Sequence, residues 1–230
     1  MSLKSLVWAL VLATPAWAWN SVNLADYGLA ARYLLPPIEA SEASAVTYNW
    51  DTDTLFVLGD EGDALVEVRK DGSVVGSMTL TGFGDTEGLT YIGNGKFVLV
   101  EERLRDAYEL TYAAGITVSR SSLPTVSLLE ETADNFGLEG ISFDPPSGRF
   151  LAVKEKSPQR VLEATIDFAA GTAFVTDPDP FSPDLGVLDL SDIQVLSVVP
   201  SLAGTPDADN LLIYSRSRPC SLRSRVRARC

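Results

Sequence analysis

The sequence predicts an all-β protein, an incomplete β-propeller whose blades are four-stranded antiparallel sheets. Short runs of apolar residues alternate with turn residues along most of the 230 residues, which is the pattern of short strands. A pair of such runs also recurs, with copies that begin 43, 52 and 52 residues apart, a period typical of propeller blades. A solenoid or a β-sandwich is the alternative, but a Greek key does not require the same strand pair to return at each step.

The first predicted blade lies between residues 45 and 80. Its four runs are AVTYN, LFVLG, ALVEVR and VVGSMTL, and the segments WDTDT, DEGD and KDGS separate them. Asp71-Gly72 in the last separator is a strong hairpin signal, because both residue types tolerate the backbone angles of a tight turn. Four antiparallel strands joined by tight turns predict one meander, which is one blade.

The recurring strand pair defines the later blades. EGLTYIGNGKFVLVEER from Glu87 matches EGISFDPPSGRFLAVKEK from Glu139, and weaker copies begin at Ser44 and Ser191. The fourth copy ends after its second strand, at residue 215, so the sequence predicts about three and a half blades. One isolated run, ARYLLPP at residues 31–37, precedes the first blade and is predicted to be the outer strand that closes the ring.

The acid-bearing strand pairs carry a resemblance to a known family. GFGDTEGLTYIGNGKFVLVEER, NFGLEGISFDPPSGRFLAVKEK and DLSDIQVL resemble the SdiA-regulated domain family, also known as the YjiK/CarP-like bacterial envelope β-propeller proteins. The resemblance covers about residues 33–215. It implies a propeller of five or six blades, an exported or inner-membrane-associated location and a link to calcium homeostasis, and a phytase-like or esterase-like activity has been inferred for the family.

The two ends of the chain differ from the propeller domain, which is predicted over residues 19–215. Lys4, the apolar run at residues 6–13 and an Ala-x-Ala site ending at Ala18 predict a signal peptide over residues 1–18, and hence export to the periplasm or cell envelope. An uncleaved anchor or a buried first strand is the alternative. Residues 216–230 hold six arginines and no acid and are predicted to be a disordered tail, produced either by a shifted reading frame or as a basic arm for anionic surfaces.

Composition excludes several classes of function. The chain contains no histidine, so zinc sites with imidazole ligands, Ser-His-Asp triads and histidine acid-base chemistry are excluded. Its 31 acidic residues outnumber 18 basic ones, which argues against a nucleic-acid partner.

Four glutamates are the candidate site residues. Glu87 and Glu102 flank one predicted hairpin at a spacing of 15 residues, and Glu139 and Glu155 flank the next at a spacing of 16. The start of one strand lies beside the end of its antiparallel neighbour, so each pair is expected to share a rim. The first strand of a blade lines the central channel, and the four carboxylates are therefore expected to converge near one mouth of it.

Converging carboxylates raise one another's pKa unless a cation compensates them. Calcium, with magnesium second, is the predicted cofactor, because hard cations take only oxygen ligands. A structural network in which Arg103, Lys154 and Lys156 pair with these acids is an open alternative. Carboxylates acting directly on a substrate as acid and base are another.

Two functions follow from these residues. The first is an envelope protein that binds calcium and an unidentified protein or small-molecule partner in calcium homeostasis or signalling. The second is a metal-dependent hydrolase, phytase-like or esterase/lactonase-like. A phosphate-ester hydrolase needs several cationic side chains near its acids, and only Arg103, Lys154, Lys156 and Arg160 are available, so the sequence favours binding over catalysis.

Overall fold

The computed structural model describes residues 22, 26–61, 63–129, 137–156, 158–177, 187–215 and 220–222. These residues form four sheets that follow one another along the chain, and the fold is an incomplete β-propeller, as predicted. The predicted signal peptide and most of the arginine-rich tail lie outside the described residues. Within the described part of the chain, no helix is long and apolar enough to span a membrane.

A short strand from the chain segment of the second blade joins the sheet of the first blade. The first blade contains β1 (Ala43–Asn49), β2 (Thr54–Gly59), β3 (Ala64–Val68) and β4 (Val74–Thr81). The second contains β5 (Thr86–Gly93), β6 (Lys96–Glu101), β7 (Asp106–Thr111) and β9 (Thr125–Ser127). Between β7 and β9 the chain crosses to the first blade, where β8 (Thr117–Ser119) pairs in parallel with β4. The strand β8 therefore ties the outer edges of these two blades together.

The last two blades differ in completeness among the described residues. The third blade contains β10 (Leu138–Asp144), β11 (Arg149–Lys154), β12 (Arg160–Asp167) and β13 (Thr172–Thr176). The fourth contains β14 (Asp192–Val195), β15 (Leu211–Tyr214) and β16 (Cys220–Leu222). The sequence predicted that this blade would stop after its second strand, but β16 pairs antiparallel with β15. Three residues of the predicted tail thus take part in a sheet.

The hairpin between β5 and β6 shows why the local signals predicted the strands well. Asn94 and Gly95 both have positive φ, 55° and 72°, as a two-residue type I′ turn requires. The strands on either side then run antiparallel, with Gly93 opposite Lys96, and after a register shift Tyr91 lies opposite Phe97. The turn residues therefore place this hairpin where the sequence predicted it.

The predicted closing strand at residues 31–37 is wrong. Residues 27–36 have no regular structure and a turn follows, because Pro36 and Pro37 lack the N–H groups that a sheet ladder needs. Leu35 instead packs against the apolar cluster that includes Val57, Val66 and Val68. The segment thus lies on the first blade and not in the outer strand of another.

Three apolar clusters fill the joints between consecutive blades. Phe56 and Leu58 of the first blade pack with Phe97 and Leu99 of the second. A second cluster joins the second and third blades, and a third joins the third and fourth. Burial of apolar surface between blades is therefore the main force that holds the sheets together.

A repeated hydrogen bond links the inner strands of neighbouring blades. In each case a hydroxyl oxygen on one inner strand accepts a bond from a backbone N–H of the next. The pairs are Tyr91 N–H to Thr47 Oγ1 at 3.2 Å, Phe143 N–H to Thr90 Oγ1 at 2.9 Å and Val195 N–H to Ser142 Oγ at 3.0 Å. The equivalent positions predicted by the sequence repeat thus make equivalent contacts.

Replacing Thr90 by valine is expected to lower the free energy of unfolding by about 1–3 kcal/mol. Thr90 is 4% exposed, and valine keeps its shape but leaves the Phe143 N–H without its acceptor. Urea unfolding measures the change, and Thr111→Val on the exposed face of β7 is the matched control. An equal loss in both variants would contradict a role for the inter-blade hydrogen bond.

Candidate metal centre

Three of the four predicted glutamates meet in one place. One carboxylate oxygen from each of Glu102, Glu139 and Glu155 lies within 4.8 Å of the others. These residues are 1%, 5% and 4% exposed, and we refer to them as the glutamate triad. Ionised carboxylates are almost never fully buried unless a cation compensates them, so this cluster is unusual in both its density and its burial.

Local backbone irregularities direct the triad side chains. The register between β10 and β11 shifts between Leu138 and Gly140, so Glu139 is the extra residue of a bulge, and a bulge re-aims a side chain. Glu102 and Glu155 each follow the last residue of a second strand, β6 and β11. The triad therefore combines one bulge residue with two residues at strand ends, taken from two adjacent blades.

Gly137 brings the chain that leads into the third blade against Glu102. A Cβ atom at Gly137 would lie 1.8 Å from the backbone oxygen of Glu102, so only glycine fits there. This approach lets the Gly137 N–H donate to Glu102 Oε1 at 3.1 Å. Among the described residues, that N–H is the one hydrogen-bond donor to the Glu102 carboxylate, which leaves its second oxygen available to a ligand.

Electrostatics in the triad disfavour three simultaneous negative charges. Burial raises the pKa of Glu102, and the charges of Asp85 and Glu155 raise it further, while the Gly137 N–H and Arg103 oppose the increase. Lys156 Nζ compensates Glu155 in part, at 2.5 Å from its Oε1. A cation bound among the three carboxylates would relieve this repulsion, because an opposite charge favours the ionised form of each carboxyl.

The structure places the fourth predicted glutamate in a second group. A carboxylate oxygen of Glu87 lies within 4.8 Å of oxygens of Asp60 and Asp85, and all three residues are partly exposed. Asp60 follows β2 as Glu102 follows β6, so the sequence repeat identifies it as the equivalent acid of the first blade. Asp85, which has a φ of 64°, has no counterpart in the repeat and was missed. Glu139 and Glu155 thus meet across one hairpin as predicted, whereas Glu87 and Glu102 lie in different groups and each meets acids of a neighbouring blade.

Arg103 compensates this second group. Its Nε forms an ion pair with Asp85. Burial raises the pKa of Asp60, with added effects of the charges of Asp85, Glu61 and Glu42, and Arg103 lowers it. The structural network that the sequence left open is therefore present around Asp85 and, through Lys156, at Glu155, whereas Glu102 has no ion pair within 4 Å in the described part of the chain.

Comparison with known proteins agrees with the fold. The family model described as SdiA-regulated matches residues 20–217. The chain is similar to a catalytically inactive variant of virginiamycin B lyase from Staphylococcus aureus with quinupristin, at 12% identity and a TM-score of 0.51, covering 86% of this chain and 57% of that one. It is similar to a chain in a nidogen/laminin complex, at 10% identity and a TM-score of 0.52, covering 80% and 61%.

These solved structures are informative about architecture alone, because their identity to this chain is so low. The chain spans about three fifths of the length of each, since it covers 57% and 61% of them. The similarity therefore concerns the stacking of blades, and the chemistry of the site depends on this chain's own residues.

Proposed function

Because the chain belongs to the SdiA-regulated family, we propose that it is an exported cell-envelope β-propeller that binds calcium at the glutamate triad. In this proposal it acts in calcium homeostasis or signalling, at the periplasmic side of the envelope or in association with the inner membrane. The resemblance of its acid-bearing hairpins to that family supports this biological setting. The observation that carries the binding proposal is the burial of three carboxylates within 4.8 Å of one another.

The donor set supports calcium over other metals. Calcium binds six to eight oxygen atoms, and carboxylates can supply one or two each. Glu102, Glu139 and Glu155 place one oxygen each within 4.8 Å of the others, and further carboxylate oxygens or water would complete the coordination of calcium. The chain has no histidine, and the triad contains neither nitrogen nor sulfur, so soft or borderline metals gain little there. Magnesium is the second choice, because it holds a stricter octahedral geometry and keeps more of its water.

The four cationic side chains near the acids support binding over hydrolysis. A phosphate-ester hydrolase needs cations directed at the substrate, and here each cation contacts another group of the protein. The contacts are Arg103 with Asp85, Lys156 with Glu155, Arg160 with Asp177, and Lys154 with the carbonyl oxygens of Lys156 and Pro158. We therefore retain the metal-dependent hydrolase as the secondary alternative only.

Calcium is expected to bind the full chain at one high-affinity site. Titration calorimetry with calcium chloride should give one transition in the wild type, and the double variant Glu102→Gln plus Glu139→Gln should bind at least about 100-fold more weakly, because two ligand charges are lost. Calcium at about 100 times its Kd should also stabilise the wild type by about 2.7 kcal/mol.

The second acidic group provides a matched control for this experiment. Asp60→Asn plus Glu87→Gln also removes two charges but leaves the triad intact, so it should bind calcium as the wild type does. The proposal fails if the wild type gives neither heat of binding nor stabilisation. It also fails if the triad variant and the control variant bind with equal affinity.

A further inference from the structure

Two lysines beside the triad have different roles. Lys156 Nζ lies 2.5 Å from Glu155 Oε1, and the two side chains are 40% and 6% exposed. Its ammonium group therefore approaches the triad from the solvent side. Lys154 is 2% exposed, and its Nζ donates to the carbonyl oxygens of Lys156 at 2.5 Å and of Pro158 at 3.3 Å.

Lys154 holds the backbone around Lys156 in place. Its hydrogen bonds to the carbonyl oxygens of Lys156 and Pro158 are charge-assisted and partly buried, which makes them stronger than neutral ones. The Lys156 side chain, in contrast, is long and has rotatable bonds throughout its four-carbon stem. A change at the triad can therefore move the ammonium group of Lys156 while the backbone of the loop stays where Lys154 holds it.

We infer that Lys156 is a built-in competitor of the triad's cation, which calcium displaces from Glu155 when it binds. This inference rests on the proposed function. A divalent cation attracts all three carboxylates at once and carries twice the charge of the Lys156 ammonium, which forms an ion pair with Glu155. When both lie against Glu155 the two cations repel each other, so calcium at this carboxylate weakens its ion pair with Lys156.

Displacement costs little because Lys156 lies at the surface. Its side chain is already 40% exposed, so the released ammonium regains water without unfolding of the loop. The ion pair with Lys156 therefore lowers the calcium affinity of the triad. Calcium binds only at concentrations high enough to displace the lysine ammonium from Glu155. Binding also presents a positive charge to solvent beside the triad, so occupancy of a buried site changes the charge of the surface.

Lys156→Met is expected to bind calcium about 3- to 10-fold more tightly than the wild type, since methionine keeps much of the length of lysine but has no charge to compete. Lys156→Arg should keep wild-type affinity within about twofold. The control is Lys96→Met, which removes a lysine whose Nζ pairs with Glu109 at 2.9 Å on the second blade. Calorimetry with calcium chloride on the full chain measures all four affinities.

The rate at which the Lys156 amine is chemically labelled gives a second measurement. A change in protein stability alone would not alter the labelling of Lys156 relative to that of Lys96. An N-hydroxysuccinimide ester should acylate Lys156 several-fold faster with calcium than without it, while labelling of Lys96 stays constant, as quantified by mass spectrometry. If the wild type binds calcium but Lys156→Met binds equally or more weakly, the inference is wrong and the proposed function stands. If neither protein binds calcium, the proposed function itself is wrong.

Discussion

Gly140→Ala is expected to lower the free energy of unfolding by about 2–4 kcal/mol, the largest effect we predict for a single methyl group. A Cβ at Gly140 would lie 2.5 Å from Asp192 Oδ1, 2.8 Å from Asp192 Cα and 3.0 Å from Ile193 N. Two of these atoms belong to the backbone of β14, so a rotamer change cannot relieve the overlap. The third and fourth blades would have to move apart.

Gly84→Ala is the matched control for this prediction. Gly84 has no atom within 4 Å of an added Cβ, and alanine retains the N–H that donates to Glu101 Oε1. Urea unfolding should therefore show a small change for Gly84→Ala and a large one for Gly140→Ala. Similar stabilities for the two variants would contradict a close approach of β10 and β14.

The same argument explains the Glu-Gly dipeptide of the repeat. A Cβ at Gly88, the equivalent residue in β5, would lie 3.0 Å from both Gly140 Cα and Ile141 N. Each glycine thus allows the inner strand of the following blade to pack closely. The sequence showed the dipeptide as a repeat, and the structure shows that its two residues serve different purposes: glycine for blade packing and glutamate for the acidic groups.

Asp192→Asn is expected to stabilise the protein at about pH 8 and to leave its stability at about pH 4 nearly unchanged. Burial raises the pKa of Asp192 from 3.8 to about 7, against the opposing effect of the Ile193 N–H that its Oδ1 accepts at 2.7 Å. A rise of this size corresponds to at most about 4 kcal/mol. Part of the side chain is exposed, so we expect about 2 kcal/mol.

The sign follows from proton linkage. The folded protein binds the Asp192 proton more tightly than the unfolded chain does, so this contribution to stability is complete below about pH 3.8 and is lost as the pH rises through about 7. Asparagine keeps an Oδ1 acceptor for the Ile193 N–H but carries no charge to bury. The stability difference between variant and wild type should therefore grow between these two pH values.

Thermal unfolding across this pH range tests the prediction. Glu102 and Asp60 also have raised pKa values, and their contributions cancel when the variant is compared with the wild type. Asp71→Asn is the control, because hydrogen bonds from Ser73 lower the pKa of this exposed carboxylate. If the stability of Asp192→Asn differs from that of the wild type by the same amount at every pH, Asp192 does not titrate in this range.

Part of the candidate site could be predicted from the repeat, and part could not. The repeat marked Glu102, Glu139 and Glu155 as acids at strand ends, and the structure brings these three together. It could not show that Glu87 lies with Asp60 and Asp85, because the partners of a residue in a bulge depend on the neighbouring blade. The spacing across one hairpin contains no information about the angle between two sheets.

The amino-acid sequence by itself determined most of the strands within the blades, their tight turns and the order of the blades, because pleat, turn geometry and repeat length are local properties of the chain. Only the tertiary structure decided which carboxylates share a space and which cations oppose them. It also decided that residues 31–37 cover the first blade, since this depends on the apolar surface that the blade exposes. Contacts between blades join residues far apart in the chain, and only these contacts bury the glutamate triad and so raise the pKa of Glu102.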